Sequence, residues 1–171
     1  MIVNKEQYLN WQSRLDSSWK FRRFWQFCSN YSWITLSPFG WYVFNNPERN
    51  LLLIEIILAF LVSRFIIAPF LTFFWPTPRP YQEFGFTPIS SVMLSRPTKK
   101  HNSFPSRHVF SLAAVAGVLL YSLSIWAVPF LIVTAITASG RIILGYHYPR
   151  DIFFGGILGL IVGVLSAYLI R

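Results

Sequence analysis

Three short stretches of this chain carry residues that could do chemistry on a phosphate. His147 stands four residues before Asp151 and six after Arg141. Earlier, Pro105-Ser106-Arg107-His108 opens a long apolar run, and Arg79 precedes Pro80. A carboxylate such as Asp151 beside a histidine can hold the ring in one tautomer and stabilise its cation. An imidazole held in this way is a nucleophile toward phosphorus. Arg79 and Arg141 offer planar, paired donors to phosphate oxygens. Ser106 and the free N–H groups of a helix start add an anion site, and Arg107 brings a further charge to the same turn. His108 is then placed to protonate a leaving oxygen. A metal centre is the rival reading of a His/His/Asp group. Hard metals want several carboxylates, and beyond Glu83 the chain holds only Asp151. No metal and no other cofactor is therefore expected.

The elements that must position these residues read as membrane helices. The 171 residues are 54% apolar, 19% aromatic and only 12% charged, which suits lipid better than water. A net charge of +9 in a soluble protein would suggest nucleic acid. In a chain this apolar it points to anionic lipid head groups or a phosphorylated substrate, with no nucleic-acid partner. A single cysteine, Cys28, excludes an intrachain disulfide.

Residues 4–27 mix charge and aromatics and read as an amphipathic interfacial helix, with Trp11, Leu15 and Trp19 near helical spacing and Lys20, Arg22 and Arg23 toward phosphates. Residues 31–46 are apolar but short, and Pro38 and Gly40 leave a kinked span and a re-entrant hairpin both open. Residues 51–74 form a clear span interrupted by Glu55 and Arg64, which lie out of phase on an ideal helix. For Arg64 a structural partner on another helix is expected. Residues 75–105 are a proline-rich loop, residues 106–122 and 125–144 two helices, and residues 151–170 a last span with Gly155, Gly159, Gly163 and Ala167 at intervals of four. The expected architecture is an all-α integral membrane bundle of about five spans. An N-terminal amphipathic segment (1–30) precedes a catalytic membrane domain (31–171). This order brings Arg79, Ser106, Arg107, His108, Arg141, His147 and Asp151 to one membrane face.

The motifs resemble those of the type 2 phosphatidic acid phosphatase (PAP2) superfamily of membrane lipid phosphatases. The family pattern is Lys-x6-Arg-Pro, then Pro-Ser-Gly-His, then Ser-Arg-x5-His-x3-Asp. Here the first part keeps Arg79-Pro80, the second reads Pro105-Ser106-Arg107-His108, and the third runs from Ser139-Gly140-Arg141 to His147 and Asp151. The resemblance implies His147 as the nucleophile that forms a phosphohistidine, Asp151 as its orienting group and His108 as general acid. It also implies Arg79, Ser106 and Arg141 as phosphate ligands. It implies a lipid phosphate substrate, such as phosphatidic acid, phosphatidylglycerol phosphate or a polyprenyl diphosphate like undecaprenyl diphosphate. It further implies a bacterial cytoplasmic membrane with the site on the outer face. A lipid phosphotransferase using the same histidine, and a non-catalytic lipid-binding relative, are the alternatives.

Three positions depart from the pattern. Thr72 replaces the lysine, Arg107 replaces the glycine, and Gly140 is inserted between Ser139 and Arg141. The lost lysine charge is expected to be supplied by Arg107, with Lys99 and Lys100 as weaker candidates. Arg107→Ala should then lower turnover by about 10²-fold, the usual cost of one anion-stabilising donor, and Lys99→Ala far less. Equal, small losses in a side-by-side turnover assay would contradict this.

Overall fold

The computed structural model describes residues 4–86 and 103–171, and all regular elements among them are helical. Lys99, Lys100 and His101 lie outside the described residues. The first helix, α1 (Lys5–Ser17), is capped by Asn4, whose Oδ1 accepts from the Gln7 N–H at 2.9 Å. Ser18 ends it and starts α2 (Trp19–Asn30). The expected single amphipathic helix is thus two helices, because the extended backbone of Ser18 separates them. Its inner face also differs. Tyr8, Gln12 and Leu15 are the buried positions of α1, whereas Trp19 is 63% exposed and stacks with Arg23 and Lys20.

After α2 the chain continues through a short 3-10 turn (Ser32–Leu36) into α3 (Ser37–Phe44), with Pro38 in the first turn, where its missing N–H costs nothing. Together these pieces run the length of the helix α8 (Ala127–Ile143). Ser32 shares a 2.6 Å hydrogen bond with Thr137, and Phe39 packs edge-on to Phe130 and against Trp126. Residues 31–46 are therefore the far half of one traverse that begins in α2, and not a hairpin returning to its own face. The traverse can close on α8 because position 140 is glycine. A Cβ there would lie 2.8 Å from the Ser29 backbone nitrogen.

The next traverse joins α4 (Asn50–Leu61), a π segment (Val62–Ile67) and α5 (Ala68–Phe74). With the 3-10 turn before it, this stretch and α9 (Pro149–Ile170) are long and apolar enough to cross a membrane. A five-residue helix, α6 (Pro80–Phe84), sits in the proline-rich loop, where the sequence suggests no helix. The bundle is completed by α7 (Arg107–Tyr121) and α8, which are shorter and apolar. Counting the α2–α3 stretch, the chain passes five times between the two ends of the bundle. The N-terminus lies at the same end as the 143–148 turn and Arg171 at the other, since Gln12 donates to the Ile143 carbonyl at 3.2 Å.

The bundle is inside-out by the standards of water. Trp41, Phe44, Phe73 and Leu169 are each at least 72% exposed, while Glu55 and Asp151 are fully buried. Glu55 is paired at the far end by the Arg171 guanidinium, with Nε to Oε1 at 2.8 Å and a second nitrogen to Oε2 at 3.2 Å. That nitrogen also reaches Ser122 Oγ at 2.6 Å, so one arginine ties α4, α7 and the end of α9 together.

The core contact is α7 against α9. Gly155, Gly159, Gly163 and Ala167 are the buried apolar positions of α9, as their spacing suggests. A Cβ at Gly163 would overlap the Ala114 carbonyl, and one at Gly159 the Phe110 carbonyl. This close approach brings the starts of α7 and α9 together, and the Ser106 N–H donates to the Asp151 carbonyl at 3.3 Å. Gly163→Ala should lower thermal stability in detergent by about 1–3 kcal/mol through overpacking. Gly156→Ala, whose Cβ would meet only Val109 at an ordinary 3.9 Å, should be neutral or up to about 1 kcal/mol stabilising.

Candidate active site

The site forms where α5, α7, α8 and α9 reach the same end of the bundle. Arg141 is in the last turn of α8, and its backbone carbonyl accepts the N–H groups of Tyr146 at 3.0 Å and His147 at 3.3 Å. Gly145 makes this turn possible, with a left-handed φ of +72°. Pro149 then starts α9, so His147 is held in a tight bridge between two rigid helices.

His147 is only 3% exposed. Its Nδ1 lies 2.7 Å from the Ser103 backbone carbonyl. A carbonyl can only accept, so Nδ1 carries the proton and Nε2 keeps its lone pair. Burial, reinforced by the charges of Arg79 and Arg141, holds the imidazole well below the ordinary histidine range. The ring is therefore neutral at pH 7.

Asp151 does not bond the ring directly. Its Oδ2 accepts from Ser103 Oγ at 2.5 Å and from the Tyr148 N–H at 3.0 Å, in the first turn of α9. The link between the carboxylate and the ring runs through Ser103, which binds the carboxylate with its side chain and the imidazole with its carbonyl. Asp151 Oδ1 is buried without a hydrogen-bond partner among the described residues, and Arg150 Nε stands 3.7 Å away.

The arginines gather around this unit. Arg141 is buried, donates to Asn30 Oδ1 at 3.0 Å and lies 5.2 Å from the Tyr146 ring centre. Arg79 is half-buried at the start of α6, where its backbone N–H is held by Gln82 Oε1 at 3.0 Å. Burial lowers the Arg79 guanidinium from its ordinary value, and the Arg107 charge adds to this. Arg107 and His108 are half-buried in the first turn of α7. Ser106 is fully buried, and its Oγ makes no cap bond and has no partner among the described residues. Thr72 is also here, with Oγ1 donating to the Phe104 carbonyl at 3.0 Å and the Ala68 carbonyl at 2.8 Å.

All seven residues singled out from the sequence therefore lie at one end of the bundle. No motif or spacing points to Ser103, to Asn30 beneath Arg141, or to Tyr8, whose OH donates to the His147 carbonyl at 3.2 Å. Tyr8 and Tyr148 are edge-to-face at 6.2 Å, and Glu83 accepts from the Tyr148 hydroxyl, so α1 and α6 brace the histidine turn from outside. Burial raises the hydroxyl pKa of both tyrosines, which keeps them neutral donors. Chemically, the set offers a neutral buried nucleophile, a second histidine, and an unpaired hydroxyl among guanidinium groups. That combination suits an incoming phosphate.

Two outcomes follow. Ser103→Ala should cost about 1.5–3 kcal/mol, the worth of a hydrogen bond to a charged group, in thermal melts. It should also slow turnover with little change in KM. In addition, a histidine with a lowered folded-state pKa binds fewer protons than in the unfolded chain. Its stabilising effect is complete above about pH 6.5 and is lost as pH falls below that value. Between pH 6.5 and 5 the melting temperature of the wild type should drop more than that of His147→Asn.

The model of the PAP2 superfamily matches residues 50–171, so the chain belongs to that superfamily. Among solved structures it is similar to the crystal structure of Aquifex aeolicus LpxE, at 23% identity and a TM-score of 0.59, over 86% of this chain and 82% of that one. That likeness supports the fold. No curated protein matches the sequence.

Proposed function

We propose that this chain, within a superfamily of phosphatases, hydrolyses a lipid phosphate or diphosphate without a metal, through a phosphohistidine on His147. The observation that carries the reading is the neutral imidazole, fixed by Ser103 and set among arginines beside the unpartnered Ser106 hydroxyl. Nε2 of His147 attacks phosphorus and the bond to the lipid oxygen breaks, with His108, protonated once the phosphate anion offsets the surrounding arginine charge, supplying the proton that oxygen takes. Water then attacks the phosphohistidine, giving its proton to His108. The P–N bond breaks and inorganic phosphate leaves. Arg79, Arg107, Arg141 and Ser106 hold the equatorial oxygens through both steps, which is where most catalysis of phosphoryl transfer arises. Asp151 and Ser103 keep the ring in register.

A site at one end of an apolar bundle suits a substrate whose head group lies at the surface while its tails stay in lipid. Polyprenyl diphosphate, phosphatidic acid and phosphatidylglycerol phosphate all fit that description. A phosphotransferase would use the same intermediate with a different acceptor. A binding protein without turnover is the reading that Thr72 favours, since it carries no charge where the family has lysine.

The assay is phosphate release from these three lipids by protein in detergent with EDTA. Turnover is expected. His147→Ala should abolish it, and His108→Ala should reduce it by about 10²–10⁴-fold, the usual worth of general acid–base catalysis. Metal-dependent turnover, or turnover that survives His147→Ala, would contradict the proposal. Product that forms only with a second lipid or sugar present would favour the transferase.

The proposed orientation is a site on the outer face of the membrane, as the family resemblance implies. Lys20, Arg22 and Arg23 then lie outside and serve as head-group contacts. A cysteine at exposed Ser17, in a Cys28→Ser background, should be labelled in intact cells by an impermeant maleimide. Labelling only after permeabilisation would turn the site to the cytoplasm, the side those charges favour under the positive-inside rule.

A further inference from the structure

The helix that carries Thr72 has an irregularity that aims a charge at the site. The buried positions of the traverse are Leu52, Glu55, Ala59, Ser63, Ala68 and Thr72, with steps of three, four, four, five and four. The five-residue step falls in the π segment Val62–Ile67. One extra residue there puts both Ser63 and Arg64 on the side that packs against α7. Arg64, Ala68 and Thr72 then form a continuing i, i+4, i+8 row. Thr72 marks the level of the site through its bond to the Phe104 carbonyl. Arg64 starts about two turns deeper, and its guanidinium lies beside the ring of Phe60, one turn back in α4.

Arg64 has no counter-ion within the protein. The chain has six carboxylate side chains, and all are described. Glu55 pairs with Arg171, Asp16 with Arg22, and Asp151 with Ser103, while Glu83 accepts from Tyr148. Glu6 is exposed on α1, and Glu48 lies at the far end of the bundle. Among the described residues no carboxylate meets the Arg64 guanidinium, so the structural partner expected on another helix is not an acidic side chain. The charge of Arg64 is instead felt by His108 and Arg141, and it feels that of Arg107. A half-buried guanidinium inside a membrane helix, near the charges of Arg107 and Arg141, raises the free energy of the folded state unless an anion arrives.

We propose that Arg64 is a fourth phosphate-binding cation, reaching the substrate phosphate from the membrane side of the site. This rests on the phosphatase reading above and adds a ligand to it. Arg64 thereby supplies charge from the same helix row as Thr72, alongside that of Arg107.

The test uses Arg64→Met, which removes the charge but keeps a long side chain suited to lipid. Without ligand, Arg64→Met should melt at or above the wild-type temperature, because one member of a like-charged cluster is gone. Its turnover should fall by about 10²-fold, and inhibition by orthovanadate, a phosphate mimic, should weaken by about tenfold or more. Adding Thr72→Lys to Arg64→Met should recover at least part of both. A lower melting temperature or loss of folding in Arg64→Met would show a structural role and overturn the proposal. So would near-wild-type turnover, or lost turnover with unchanged vanadate inhibition. If the wild type itself turns over no lipid phosphate, the phosphatase reading fails first. That outcome is distinct from an active wild type with an indifferent Arg64.

Discussion

The structure depends on an imbalance of charge. Arg79, Arg107 and Arg141 gather at one end of an apolar bundle, with Arg64 deeper on the neighbouring helix, and Asp151 is the carboxylate among them. Like charges in a poorly screened place repel, and each has given up part of its hydration. Rigid elements are needed to hold such a group together, and an anion that binds there relieves the repulsion. The glycine seam between α7 and α9, and the glycine contact between α2 and α8, provide that rigidity. Both place backbone against backbone, where side chains cannot slide. Arg141 is further fixed by Asn30 and Tyr146, neither of which cancels its charge.

In the proposed mechanism the same imbalance prepares His147 as the nucleophile. An imidazole buried among cations does not take up a proton, so His147 needs no base to activate it. It needs orientation, and the Ser103 carbonyl supplies that. Asp151 acts at one remove. It fixes Ser103, caps the start of α9, and leaves one buried oxygen without a hydrogen bond. In the proposed intermediate, with phosphorus on Nε2, the ring would be cationic, and a carboxylate held one residue away would lower the cost of that charge.

Much of the site was legible in the sequence because its parts lie at helix ends. A helix that starts at Arg107 must bring Ser106, Arg107 and His108 to the level where α8 ends with Arg141. The four-residue spacing of His147 and Asp151 spans the turn into α9. Periodicity and turn residues therefore suffice to place them on one face. Contacts between distant segments left no such trace. Ser103 is one serine among several in its loop, and its two bonds exist only because residues 103–106 pack over α9. Asn30 and Tyr8 come from the N-terminal helices, whose docking is set by Gly140 and the 143–148 turn. Arg64 was visible as an intramembrane charge, but its direction depends on one extra residue in a π turn, which a regular 3.6-residue period cannot show. The kinked segment at 31–46 was ambiguous for a similar reason. Pro38 sits harmlessly in a first turn, and only packing on α8 shows that the chain passes through once.

The most direct test is to trap the intermediate. Protein in detergent with EDTA would be mixed with lipid carrying labelled terminal phosphate, quenched in alkali within a turnover, and digested for mass spectrometry. An acid-labile, alkali-stable phosphate is expected on the peptide containing His147 and absent from His147→Ala. Label on another residue, or turnover without any labelled protein at that timescale, would contradict it.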